Sequence, residues 1–185
     1  MSEDEKSLFA AALQPVTSYV EFGCGGSTLF ALSHMRGTVI SQDSSREWLY
    51  SVAARCTEQR LGEPQLVLAD IGPTGEWGRP LDESCRDRWP SYSGGIWDHG
   101  GTESADLYLV DGRFRVACFL ETLLRCRSDA VILIHDFAPR PEYHVVKEFA
   151  REVATASTLS AFVRRPTFNR NNLLKVLHRT RYDPA

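Results

Sequence analysis

Five apolar runs in this 185-residue chain each end in or beside an acid: Glu21, Asp43, Asp70, Asp111 and the pair His135-Asp136. The first runs into Phe22-Gly23-Cys24-Gly25-Gly26-Ser27-Thr28. Glycines there let the backbone turn sharply and let a ligand approach with no Cβ in the way. A helix that opens on such a turn presents unpaired backbone N–H groups to whatever sits above it. Asp43 stands 22 residues after Glu21. In nucleotide-binding α/β folds an acid about 20 residues on accepts hydrogen bonds from ribose hydroxyls. Two vicinal hydroxyls offer two donors, and one carboxylate takes both. Such an array of acids suits a cationic, hydroxyl-rich ligand and suits a pyrophosphate poorly. A dinucleotide fingerprint would also need glycine at position 28, where Thr28 stands. An NAD-dependent oxidoreductase is disfavoured on both grounds. Taken singly, each acid reads equally well as a solvated strand end; the joint spacing favours a ligand.

The elements that must hold these residues alternate between strand-like and helical periodicity, the mark of an α/β fold with a mostly parallel sheet. Helices are expected over residues 3–13, 27–37, 45–60, 113–125 and 141–153, and strands over 18–22, 38–42, 65–69, 107–110 and 131–134. Residues 158–163 and 173–177 read as a closing antiparallel pair. Gly37 suits a left-handed helix cap. Ser44-Ser45-Arg46-Glu47 reads as a capping box, and Pro141 sits where a first helical turn tolerates proline. The expected architecture is a Rossmann-like, doubly wound sheet of about seven strands with helices on both faces, in one domain spanning residues 1–185. Between residues 71 and 104 the pattern breaks into a glycine-rich stretch with three of the four tryptophans, Trp77, Trp89 and Trp97. Disordered tracts are poor in aromatics, so this connection reads as an ordered substrate lid or a structural loop.

The glycine turn, Ala105-Asp106-Leu107-Tyr108-Leu109-Val110-Asp111-Gly112 and Val131-Ile132-Leu133-Ile134-His135-Asp136-Phe137 together resemble the motifs of class I S-adenosylmethionine (SAM) dependent methyltransferases. The resemblance spans nearly the whole chain and is nearest to small stand-alone bacterial methyltransferase-like proteins. It implies SAM as cofactor. Glu21, Phe22, Gly23, Cys24, Gly25, Ser27 and Thr28 would line its methionine end. Asp43 and Ser44 would hold the ribose, Asp70-Ile71 would flank the adenine, and Asp111 would complete the cofactor site. It also implies methyl transfer to oxygen on a small-molecule or glycan hydroxyl, with Asp111, His135 and Asp136 as candidate catalytic residues. A histidine with an unperturbed pKa near 6.5 suits a general base. Metal-dependent O-methyltransferases carry carboxylate ligands near Asp111 and Asp136. Here Phe137 replaces the asparagine that follows, so a divalent metal is the weaker reading. A different class of function, a SAM-fold binding module that acts through a protein partner without turnover, would keep the same cofactor acids.

Composition bounds the rest. With 43% hydrophobic and 24% charged residues the chain is of globular type. Its acidic start, Met1-Ser2-Glu3-Asp4-Glu5, lacks the positive charge of a signal peptide, and no apolar run approaches the ~20 residues of a membrane span. Five cysteines without a C-x-x-C pair argue for reduced thiols and a cytoplasmic setting, with Cys24 a small spacer. Net charge is −3, yet residues 161–185 carry +5. No aromatic-interleaved RNA motif accompanies that basic stretch, so nucleic acid is not the expected partner. Oligomeric state leaves no trace in the sequence.

Overall fold

The computed structural model describes residues 1–185. Strand β1 (Ser18–Phe22) is apolar on both sides, because Tyr19 faces one core and Val20 and Phe22 the other. Strand β2 (Thr38–Asp43) pairs with it in parallel, and β3 (Gln65–Leu68) extends the sheet beyond β2. On the other side lie β4 (Leu107–Val110) and β5 (Val131–Ile134), both parallel to β1. Strands buried on both faces read as continuous apolar runs, and β4 and β5 fit that description. The full order is β3-β2-β1-β4-β5-β7-β6, with β6 (Ala150–Ala156) and β7 (Leu159–Arg164) forming an antiparallel hairpin whose second strand inserts beside β5. Strand order reverses between β1 and β4. In open α/β sheets the ligand crevice lies beyond the carboxyl ends at such a switch point.

Helices cover both faces, as expected. One face holds α1 (Glu3–Leu13), α2 (Gly26–His34) and α3 (Arg46–Glu58), which bury Phe9 and Leu13, Ala31 and Leu32, and Leu49, Val52 and Cys56. The opposite face carries the short α4 (Pro90–Gly94), then α5 (Arg115–Arg125) and α6 (Arg170–Thr180), which join the larger core. No helix is long and apolar enough to cross a membrane.

The last third departs from expectation. The helix over 141–153 is only a 3₁₀ segment, Pro141–Glu148, and the chain then enters β6. Residues 150–156 alternate in burial along an edge strand, a period of two. Residues 173–177 are not a strand: Leu173 and Leu177 lie four apart on the buried face of α6, which Asn169 caps by accepting from Asn172 N at 3.0 Å. α5 starts two residues late because Phe114 takes a left-handed φ of +52°. Gly37 is no helix cap. α2 ends at His34 with Met35 as its cap, and a Cβ at Gly37 would sit 1.9 Å from Thr17 O. Ser45, not Ser44, caps α3, accepting from Trp48 N at 3.2 Å.

The connection between residues 71 and 104 divides in two. Its distal part stands where a crossover helix would pack. Trp89, Tyr92, Ile96 and Trp97 are buried in the larger core, and Gln42 Nε2 donates to Tyr92 O at 2.6 Å. Its proximal part is a tight turn around Glu76–Gly78, closed by Gly75 N to Arg79 O at 2.8 Å, with Trp77 86% exposed. The basic C-terminal stretch is partly spent on the fold: Arg181 pairs with buried Glu121, and Arg164 donates to Cys126 O at 2.7 Å.

Tyr92 tests the division, since its hydroxyl also accepts from Arg113 N at 3.2 Å. Tyr92→Ala is expected to lower unfolding free energy by about 3–5 kcal/mol, the range for large aromatic truncations. Urea denaturation measures it, and a loss below about 1 kcal/mol would show that the segment does not belong to the core.

Candidate active site

The cleft is built from a buried carboxylate outward. Glu21 is fully buried and accepts hydrogen bonds from Tyr19 OH (2.8 Å), Ser27 Oγ (2.7 Å), Ser41 Oγ (2.6 Å) and Thr28 Oγ1. Burial pushes its carboxyl up, and the four hydroxyls only partly offset that. Thr28 Oγ1 also accepts from Gly25 N at 2.9 Å, so the turn is tied to the acid below it. Glu21, Phe22 and Thr28 therefore stand behind the cleft wall. This corrects their expected place beside a ligand, because the carboxylate is saturated by the protein's own hydroxyls.

The glycines of the turn serve different needs. Gly23 has φ +95°, and a Cβ there would lie 2.5 Å from Gly112 Cα and N, so the loops after β1 and β4 touch. Gly25 meets only the Trp48 ring at 3.6 Å, and its backbone is extended. Its bareness serves the cleft. Cys24 is a buried thiol pushed up by burial and by Asp43 and Glu21; its carbonyl accepts from Trp48 Nε1 at 2.7 Å.

Those residues, with Asp43, Ser44, Trp77, Gly78, Asp111 and Gly112, line a cleft of about 1040 Å³. Ligand pockets run to about 300–1,000 Å³, so this one stands at the large end of that range. Asp43 accepts from Ser45 N at 3.0 Å. Burial raises its pKa despite backbone donors and the charge of Arg113. A desolvated acid in that state gains from further donors. Asp70 and Ile71 lie outside the cleft, another correction. Asp70 faces solvent and pairs with Arg88 at 3.3 Å, while Ile71 is buried in the core. The Glu76–Gly78 turn closes that end instead: a Cβ on Gly78 would come within 2.9 Å of Ser44 Oγ.

At the ends of β4 and β5 the structure brings Asp111, His135 and Asp136 together, their ligand atoms within 4.8 Å of one another. Arg115, missed as a site residue, occupies the middle. It is 4% exposed, with Nη1 2.8 Å from Asp136 Oδ2 and Nη2 3.4 Å from Asp111 Oδ1. Its Nε donates to Gly112 O at 2.9 Å and Nη1 to His135 O at 2.8 Å. The Asp111/Arg115 spacing of four was the available signal. His135 lies between two acids, Nδ1 3.0 Å from Asp111 Oδ1 and Nε2 3.4 Å from Glu5 Oε2. Burial alone would lower its pKa, but the hydrogen bond and charge of Asp111, then Asp136 and Glu5, raise it. With both nitrogens facing carboxylates, His135 is held in place and its protonated form is favoured. Burial would raise Asp136 too, but Arg115, His135 and Arg140 hold it low.

The same geometry speaks against a resident divalent ion. Asp111 and Asp136 already pair with Arg115, so a metal would compete with its guanidinium for the same carboxylate oxygens. An uncompensated buried charge is costly.

A parallel sheet with a glycine turn and strand-end acids at its switch point defines a class I methyltransferase fold. No protein-family model and no curated protein matches the chain. Among solved structures, a methyltransferase-like protein from Silicibacter pomeroyi DSS-3 is 32% identical, with a TM-score of 0.91 over 100% of this chain and 96% of that one. The chain belongs to the class I SAM-dependent methyltransferase family. More distant in sequence but alike in fold is the O-methyltransferase TomG from Streptomyces achromogenes, solved with SAM (20% identity, TM-score 0.55, 89% of this chain and 82% of that). So is the O-methyltransferase from Bacillus cereus solved with SAH (14% identity, TM-score 0.58, 89% and 82%).

Glu5 links the N-terminus to this cluster, and pH tests the link. Burial would raise its carboxyl, but Thr158 Oγ1 and N (2.6 and 2.9 Å), Ser2 N (2.6 Å) and His135 bring it from 4.5 down to about 2. A depressed carboxyl stabilises above its unfolded pKa and loses that contribution as pH falls towards 2; a raised histidine stabilises below its unfolded pKa and loses it as pH rises through the folded one. Glu5→Gln should therefore cost about 3 kcal/mol at pH 7 and flatten the acid limb of stability between about pH 4.5 and 2. It should also move the NMR titration of His135 to lower pH. An unchanged acid limb in urea unfolding would refute the linkage.

Proposed function

We propose that the protein transfers the methyl group of SAM to a hydroxyl oxygen of a small-molecule or glycan acceptor. The observation that carries this reading is Asp43: a desolvated acid at the end of β2, beside a bare glycine turn, in a cleft at the large end of the ligand-pocket range. In this reading Asp43 takes the ribose hydroxyls, with Ser44 and the Glu76–Gly78 turn beside it. The backbone of residues 23–27 approaches the amino-acid end. SAM supplies a methyl group activated on a sulfonium centre.

The chain's own residues then have two tasks. Asp111 and Asp136 face the cleft and keep negative charge near the cationic centre, while Arg115 and His135 fix their orientation. An in-line displacement draws most of its acceleration from holding the two reacting atoms in line. The acceptor hydroxyl donates its hydrogen bond to Asp111, which receives the proton as the new bond forms. His135 positions Asp111 and does not receive the proton. No metal takes part.

Calorimetry with SAM and its demethylated product SAH tests the cofactor site. Asp43→Ala should weaken both by about 1.5–3 kcal/mol, the value of hydrogen bonds to a charged group. Gly25→Val should abolish binding with the urea midpoint preserved, since nothing but Trp48 lies near its Cβ. Unchanged affinity in both variants would refute the assignment. SAH release during turnover should be insensitive to EDTA; loss of turnover on chelation, restored by Mg²⁺, would show instead that a metal displaces Arg115.

A further inference from the structure

Four arginines line the cleft: Arg79, Arg113, Arg115 and Arg140. Arg115 alone is paired with carboxylates. The other three form no ion pair, and the Arg113 side chain makes no hydrogen bond; its buried Nε has no partner. Arg113 and its neighbours press on one another: burial, then the charges of Arg115 and Arg79, pulls the Arg113 guanidinium below its usual pKa. Further along the wall, Arg140 and Arg115 lie against one tyrosine, their Cζ atoms 5.4 and 5.9 Å from the Tyr143 ring centroid. The chain as a whole carries −3, so this concentration does not follow from overall charge.

Like charges gathered in a partly desolvated cleft are unfavourable in the free protein, and an anion relieves them. Asp43 does not do so, because it lies outside ion-pair distance and is the group suited to ribose. The cations continue along the wall from Arg113 to Arg140, past Asp111 and Asp136. Arg140, whose charge acts on Asp136, stands on the side where the proposed reaction places the acceptor, and Arg113 spans from there towards Asp43 and the Gly78 turn, its Cγ 4.0 Å from where a Cβ on Gly78 would stand.

We propose that the acceptor carries an anionic group, a carboxylate or a phosphate, held by Arg113 and Arg140 with Arg79 on the turn above. The proposal rests on the methyltransferase reading. Guanidinium forks bind either anion bidentately. Transfer is then to a hydroxyl of the same molecule: the O–CH₃ bond forms, the S–CH₃ bond breaks to leave a neutral thioether, and the hydroxyl proton passes to Asp111.

The test is calorimetric, first with SAH alone, then with inorganic phosphate, benzoate and the neutral match benzyl alcohol added to the SAH-bound protein. Phosphate or benzoate should bind, and benzyl alcohol at least about tenfold more weakly; which anion binds tighter tells phosphate from carboxylate. Arg113→Gln and Arg140→Gln should each weaken the anion about tenfold or more, the effect of one charge-assisted hydrogen bond, with SAH affinity and urea midpoint unchanged. Two single variants guard against either one failing to fold. Benzyl alcohol binding as well as the anions, or both variants keeping anion affinity, would overturn the proposal. Loss of SAH affinity in the variants would assign the arginines to the cofactor and overturn it equally. A wild-type protein that binds no SAH sinks the methyltransferase reading and the acceptor role with it, whereas one that binds SAH and no anion sinks the acceptor proposal alone.

Discussion

A carboxylate with no access to water organises this fold. Glu21 draws donors from three elements, Tyr19 of its own strand, Ser27 and Thr28 of α2, and Ser41 of β2. Burying an acid is tolerable only where hydrogen bonds replace its hydration, so each of those hydroxyls has one place to be. The glycine turn is stretched across this knot, and its position sets the cleft floor. Gly23 in turn rests on Gly112, which fixes the loop after β4 by contact with the loop after β1. Nothing in the cleft can move far without disturbing the acid beneath.

The second network, Asp111, Asp136, Arg115, His135 and Glu5, works differently. Here three acids surround Arg115 and His135, and each partner shifts the state of the next. Arg115 holds the Asp136 carboxyl low, and Asp111 pushes His135 up against the effect of burial. The two facing carboxylates are bridged by the Arg115 guanidinium. It fixes the orientation of the carboxylates at the reacting end, which suits a reaction governed by alignment.

Much of the architecture was legible because the central strands are buried on both faces and so appear as short apolar runs ending in acids; β1, β4 and β5 fall where those runs predict. Asp43 and the bare Gly25 were readable from spacing alone. Elements at the sheet edge were not. β6, Ala150-Arg151-Glu152-Val153-Ala154-Thr155-Ala156, lacks a clean apolar–polar alternation, and Val145, Val146, Phe149 and Val153 mimic a helical stripe across a 3₁₀ turn and an edge strand. The run Leu173-Leu174-Lys175-Val176-Leu177 is short enough to read as either element, and only the Asn169 cap marks it as helix. Glu21 has the residue type of a ligand group, yet its saturation depends on Ser41, twenty residues away. Glu5 carried no local signal at all, since its partners His135 and Thr158 lie 130 and 153 positions on.

That last separation bears on the order in which the molecule comes into being. Chains emerge from the N-terminus at about 5–20 residues per second, so α1, β1 and β2 are available many seconds before Thr158. During that interval Glu5 has neither the Thr158 donors nor His135 to hold its carboxylate, and His135 in turn lacks one of its two flanking acids. The wall made by residues 21–48 can be in place while the cluster around His135 still waits for the final hairpin. Completion of the site thus coincides with closure of the chain's two distant ends, and a nascent or C-terminally clipped molecule would present the binding groove without the ordered charges opposite it.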